Sequence, residues 1–303
     1  MNGILVLDKP KGMTSQGAVS RVKRSLKIRR AGHTGTLDPF ATGVLPICVG
    51  KATKIIPFLD EDFKDYEAVL RLGIATDTMD VTGNVIGERK VEAITEADIQ
   101  RVLSKFKGRI SQVPPMFSAL KKDGVKLYQL ARQGKEVDRP SRTVMIKELK
   151  LQEFNPPYLR FFVCCSKGTY VRVLGSEIGN EIGCGGHLVE LRRVRSGSFG
   201  PDEMVSMESV LEGRVNLIPL SKALFHIKDI GVKDGVSERI KQGRQVIKSY
   251  LNWSNVPRFE AGDKMKVYEK DELVSIGEAV VSSDDLDKLD SNKVVLKLLR
   301  VFN

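Results

Sequence analysis

Residues 32–46, GHTGTLDPFATGVLP, constrain this chain more than any other stretch. They hold three glycines, two prolines and three threonines, which predicts a tight, backbone-rich loop rather than a helix or a strand. One carboxylate, Asp38, and one imidazole, His33, sit inside it. Asp38 precedes Pro39, and a residue before proline is pushed to extended backbone, so the carboxylate is carried on stiff chain. Asp-Pro is by itself a common turn pair. The flank, however, holds Arg21, Lys23, Arg24, Lys27, Arg29 and Arg30 with no acid among residues 21–30. A lone carboxylate beside a dense cationic stretch is what a nucleophile acting on a polyanion requires.

The charge of the whole chain points the same way. Its 303 residues carry 49 Lys and Arg against 38 Asp and Glu, a net +11. Residues 227–303 are nearly neutral, with 14 basic against 13 acidic side chains, so the first 226 carry 35 against 25. A basic larger part predicts a nucleic-acid partner whose affinity falls as salt rises. No amphipathic segment with a wide apolar face is present, and the most apolar short run, LRFFVCC at 159–165, suits a buried strand rather than a membrane span. The opening MNGILVLDKPKG lacks the pattern of a secretory leader, so a cytoplasmic location is expected. Cys48, Cys164, Cys165 and Cys184 show no CxxC pair, and His33, His187 and His226 complete no zinc pattern. Buried reduced thiols and no metal are therefore expected.

Along the chain, GILVL at 3–7 reads as a buried strand and Ser15 as the cap of a helix running to about Lys27. Val19, Val22 and Leu26 form the apolar face of that helix, with the basic cluster opposite. Residues 66–72 alternate as a half-buried strand carrying Tyr66, and GIATDTMDVTGNVIGE follows as a loop or hairpin in which Asp77 and Asp80 make local hydrogen bonds. A helix over 96–107 is capped by Thr95 and Asp98. Residues 111–140 form an excursion in which Lys121, Lys122, Lys126 and Arg132 surround Met116, Phe117, Leu127 and Tyr128, a mixture that suits either an RNA grip or a self-packed hairpin. Strands at 142–151 and 159–166 lead to a helix from about Tyr170 to Glu181 with Arg172 in its first turn, where a cation is disfavoured unless a specific partner offsets it. Beyond about Phe225 come short strands with their own turns. The class is α+β, with one unit over 1–226 and a small β-rich unit over 227–303.

The central stretch resembles the catalytic loop of the TruB family of tRNA pseudouridine synthases, G-H-x-G-x-L-D-P-x-A-x-G-x-L-P, and meets each fixed position. DKPKGMTS resembles the family's K-P-x-G-x-[ST]-S segment, KDYEAVLRLGIATDTMDVTG its Y-x-x-x-x-x-L-G-x-x-T-D-T-x-D-x-x-G segment, and VPPMFSALKKDGVKLYQLARQG its thumb. CSKGTYVRVLGSEIG and GCGGHLVELRR match the remaining motifs, while the tail is similar, more loosely, to a PUA RNA-binding module.

The resemblance implies a pseudouridine-synthase fold, a central mixed or antiparallel sheet flanked by helices. It implies Asp38 as catalytic aspartate, Tyr66 stacked on the target base and Arg172 paired with Asp38. Leu191 would line the uracil pocket with Tyr170, His33 would contact the flipped nucleotide, and Lys9 would border the site. The implied substrate is uridine 55 in the T arm of tRNA, handled by a monomer without a cofactor. A non-catalytic RNA-binding protein is the rival reading, with Asp38 as a turn residue. A nucleoside hydrolase would need a metal-binding Asp cluster or a second catalytic acid, and neither stands at recognisable spacing.

Overall fold

The computed structural model describes residues 1–59 and 62–303. Strand β1 (Gly3–Lys9) is followed by helix α1 (Ser15–Ser25), then β2 (Ala31–His33), β3 (Thr42–Val49) and β4 (Phe63–Leu72). A short hairpin, β5 (Ile74–Thr76) and β6 (Val85–Glu88), precedes helix α2 (Glu96–Lys105) and strand β7 (Gly108–Gln112). The excursion holds β8 (Lys121–Lys122), β9 (Val125–Lys126) and helix α3 (Leu127–Arg132). The chain returns through β10 (Arg142–Asn155), β11 (Tyr158–Ser166), helix α4 (Val171–Ile182), β12 (Gly186–Ser196) and β13 (Met204–Val205). Among the described residues these strands build a nine-stranded sheet in the order β13-β1-β3-β12-β4-β11-β10-β7, with β2 on β3. The sheet is mixed: β12 runs parallel to β3 and antiparallel to β4. This is the expected α+β class with a large mixed sheet and packed helices.

Local chemistry explains the helices. Helix α2 has the capping box expected from sequence, Thr95 and Asp98 satisfying each other's backbone N–H groups. Helix α1 buries Ala18, Val19 and Val22 and exposes Arg21 and Arg24 on its far side. Its cap is Thr14, whose Oγ1 accepts from Gly17 N at 2.9 Å, and not Ser15. Ser15 is buried and has another task, described below. The glycine-rich stretch is also less of a loop than its composition suggests. Gly32 and His33 end β2, and Thr42 to Pro46 already run in β3, so only residues 34–41 lie between strands. Each flank has a neighbouring strand to pair with, and that pairing overrides the composition.

The C-terminal β-rich unit contains β14 (Lys228–Gly231), β15 (Val246–Ile247), β16 (Lys264–Glu269), β17 (Glu272–Ala279) and β18 (Val294–Val301). Its sheet runs β14-β16-β17-β18-β15 over a core that includes Ile230, Tyr250, Phe259, Met265 and Val274. A second cluster joins this unit to the larger one: Ile276 and Phe302 pack with Ile4, Val6, Val44, Ile55 and Leu224. Phe302, next to the last residue, is only 2% exposed, and its N–H donates to Val274 O at 2.9 Å. Phe302→Ala is therefore expected to cost about 3 kcal/mol in urea denaturation, the usual penalty for emptying a buried aromatic site. A loss below about 1 kcal/mol would mean that the seam contributes little to stability.

Candidate active site

The order β3-β12-β4 sets three parts of the site side by side. The loop that feeds β3 carries Asp38, β12 carries Leu191, and β4 carries Tyr66. They line a cavity of about 490 Å³, completed by Tyr170 and Val171 at the start of α4. Lys64, Arg142 and Lys167 are also on its wall.

Because the Asp38 loop has no regular pairing of its own, its backbone groups need individual partners. Each carbonyl from Gly35 to Pro39 has one. Arg193 donates to Gly35 O at 3.1 Å and to Thr36 O at 3.5 Å. Ser15 Oγ donates to Leu37 O at 3.0 Å and accepts from Leu37 N at 2.8 Å. Ala41 N donates to Asp38 O at 3.1 Å, and Gly12 N to Pro39 O at 2.8 Å. Lys9 Nζ reaches Pro39 O at 3.4 Å while donating to Pro10 O at 2.9 Å and Met13 O at 2.8 Å. The K-P-x-G-x-[ST]-S segment thus acts as the bed of the loop.

Arg172 faces Asp38 with its fork. Nε donates to Oδ2 at 2.7 Å and Nη2 to Oδ1 at 3.1 Å, the two-bond geometry that fixes both position and plane of a carboxylate. Nη1 donates to Thr78 O at 2.7 Å and Nη2 to Phe117 O at 3.0 Å. A second carboxylate, Asp80, stands 3.5 Å from Nη1. The arginine side chain is 3% exposed and that of Asp80 6%, whereas Asp38 remains 30% exposed and open to the cavity. Two acids and two carbonyls offset the cation at the helix N-terminus, the partner set that its unfavourable position called for.

Asp80 was legible as a loop acid but not as an arginine partner. It does make the expected local bonds, accepting from Thr78 Oγ1 at 2.8 Å, Thr82 N at 2.9 Å and Thr82 Oγ1 at 2.5 Å. The spacing T-D-T-x-D, dense in short polar side chains, was the available signal. Gln112 was also missed: its amide pairs both ways with the Tyr170 backbone, at 3.2 and 2.8 Å. Arg142 lies over the Tyr170 ring at 4.7 Å and donates to Gly168 O.

Burial pushes the Tyr66 phenol up to about 12, against the pull of the neighbouring Arg193 guanidinium, so it keeps its proton at neutral pH. Lys9 lies beneath the loop and His33 on β2 opposite Ile47; neither forms part of the cavity wall, which begins at Thr34. Burial pushes the Lys9 ammonium down from 10.5 to about 8, with Asp38 opposing the shift and Arg193 adding to it. The folded chain then gives up this proton before the unfolded chain does, so stability rises with pH across that window and is unaffected by this group below it. Relative to Lys9→Met, the native protein is expected to gain at most about 3 kcal/mol between pH 8 and 10.5. Urea denaturation across the window checks this; a native-minus-variant difference that stays flat or falls would refute it.

Residues 23–171 match the N-terminal domain of TruB family pseudouridylate synthases, and residues 172–217 match a tRNA pseudouridylate synthase B C-terminal domain. The chain is 43% identical over 310 aligned positions to a tRNA pseudouridine synthase B of Geobacter sulfurreducens, covering 100% of both.

The chain belongs to the TruB family.

A TruB-family pseudouridylate synthase is an isomerase, and the similarity extends to other bacteria. A Clostridium tetani relative named tRNA pseudouridine synthase B is 39% identical over 95% of this chain and 99% of its own. One from Pseudomonas aeruginosa is 49% identical over 69% of each. Among solved structures, a chain of a Cbf5-Nop10-Gar1 complex superposes with a TM-score of 0.72 at 27% identity, covering 99% of this chain and 85% of that one. A chain of an H/ACA RNP bound to a substrate RNA containing 2'-deoxyuridine gives 0.71 at 26%, covering 99% and 85%. Among the described residues no helix is long and apolar enough to cross a membrane.

Proposed function

We propose that this TruB-family protein converts uridine 55 in the T arm of tRNA to pseudouridine, with Asp38 as the nucleophile. The observation that carries this reading is the two-bond pairing of Asp38 with Arg172 at the wall of a cavity shared with Tyr66 and Leu191. Whole-chain similarity to proteins named tRNA pseudouridine synthase B supports tRNA as the substrate.

The reaction breaks the N1–C1′ bond, turns the uracil and forms a C5–C1′ bond. The C5 proton departs and N1 gains one, so no atom or electron is added overall. A stacked nucleotide hides the bond and must be flipped out, at a cost of about a few kcal/mol. Stacking on Tyr66, worth roughly 1–3 kcal/mol, and phosphate contacts from Lys64, Arg142 and Lys167 would offset it. Arg172 holds both Asp38 oxygens in one plane and leaves one face of the carboxylate to the reacting sugar or ring. Because the phenol of Tyr66 stays protonated, its part is stacking and hydrogen-bond donation rather than unaided proton abstraction. Leu37, Val171 and Leu191 give the wall an apolar part against which the detached base would be kept from water so that it recombines with the sugar.

The rest of the reading concerns the RNA grip. Tyr128 of the excursion lies under Lys126 at 5.7 Å and Arg132 at 5.6 Å, presenting a cation-faced ring that suits single-stranded or looped RNA. The C-terminal unit serves as a PUA-like RNA-binding module. Incubating the protein with an unmodified tRNA transcript and mapping pseudouridine tests the proposal. Modification at position 55 supports it, while tight binding without any pseudouridine would leave the RNA-binding rival standing.

A further inference from the structure

Among the described residues Arg193 has the largest fully buried side chain, and no role falls to it in the chemistry above. It lies on β12 two residues after Leu191, with its backbone beside Gly43 of β3 and Tyr66 of β4. Its side chain runs beneath the Asp38 loop. Nε donates to Val44 O at 2.7 Å, Nη2 to Gly35 O at 3.1 Å and Nη1 to Thr36 O at 3.5 Å. The guanidinium is also near enough to the Tyr66 phenol to pull against the upward push of its burial. Among the described residues its hydrogen-bond partners are these carbonyls, not a carboxylate.

Such an arrangement is expensive for stability alone. A guanidinium removed from water without a counter-ion loses a large hydration energy, and a well-packed apolar residue at such a position is often as stable or more so. What an apolar residue could not do is draw three carbonyls onto one group. Gly35 and Thr36 line the cavity next to Asp38. Turned into the cavity, the negative ends of their carbonyls would face the carboxylate and the incoming base; drawn down onto Arg193, they are removed from it. The close approach is built in at Gly43, whose φ is +101° and whose absent Cβ would lie 2.2 Å from Arg193 O. Only glycine lets the two strands meet there.

We propose that Arg193 is a positioning residue for the isomerisation, fixing the Asp38 loop from below. The inference rests on the functional reading above. It differs from the role of Arg172, which touches the carboxylate itself. Arg193 acts only through the backbone of residues 35, 36 and 44.

The test uses the full-length chain with Arg193→Lys and Arg193→Gln. The lysine keeps the charge but can satisfy only part of the set, and the glutamine keeps a planar donor without the charge. Single-turnover pseudouridine formation, tRNA affinity and melting temperature are measured for both and for the parent. In both variants the rate is expected to fall about 100-fold, as for a reacting group displaced by about 1 Å, with tRNA affinity within about threefold. A rate within about threefold of the parent in both variants would overturn the proposal. So would a parallel loss of rate, affinity and melting temperature, or a failure of both variants to fold, because these describe a purely structural arginine. An inactive parent in the same assay would instead remove the functional reading.

Discussion

The Asp38→Asn protein is expected to form pseudouridine at least about 10⁴-fold more slowly than the parent while still holding tRNA. The amide has nearly the shape of the carboxylate but neither its charge nor its second acceptor oxygen. Its NH₂ group would face the N–H donors of Arg172, so one of the two bonds at 2.7 and 3.1 Å turns from attraction to repulsion. The arginine would not be left bare, because Asp80 and the carbonyls of Thr78 and Phe117 remain. The fold should therefore survive the change, and the loss should appear in the chemical step. Single-turnover mapping of pseudouridine together with a binding isotherm separates the two. Activity within tenfold of the parent would remove Asp38 from the reaction.

Arg172→Lys should rank second, with a loss of about 100-fold or more in the chemical step and a small effect on binding. An ammonium is a point charge with three donors and cannot span both Asp38 oxygens, two carbonyls and Asp80 at once. Asp38 would keep its charge and lose its aim. The arginine side chain is 3% exposed, so a direct contact with RNA phosphate is not its role. Equal losses of rate and affinity would say otherwise and would make it an RNA contact.

The parts of this fold set by short-range chemistry could be read from the chain itself. The Thr95–Asp98 capping box, the alternation over 66–72 and the two strands that follow the excursion are decided by neighbours in sequence, and they stand where expected. The extent of the central loop was misjudged, because strand pairing from Ile47 and Cys48 onto β2 is not visible in the loop's own composition. Ser15 was taken for a cap because serine is a good one; the adjacent Thr14 does that work, and the hydroxyl of Ser15 is spent on Leu37, 22 positions away. At the site, family motifs brought out Asp38, Tyr66, Arg172 and Leu191, which the fold gathers around one cavity or its wall. Asp80, Gln112 and Arg193 matter through contacts made across 58 or more positions, and no local pattern announces such a partnership.

The bond from Arg172 to Phe117 O has a practical outcome for anyone redesigning the protein. Phe117 belongs to the excursion proposed above as an RNA grip, yet its peptide hangs on the same planar group that holds the Asp38 carboxylate. Libraries built over residues 113–120 would therefore report altered turnover even where recognition was the intended target. Grip and chemistry would have to be selected together.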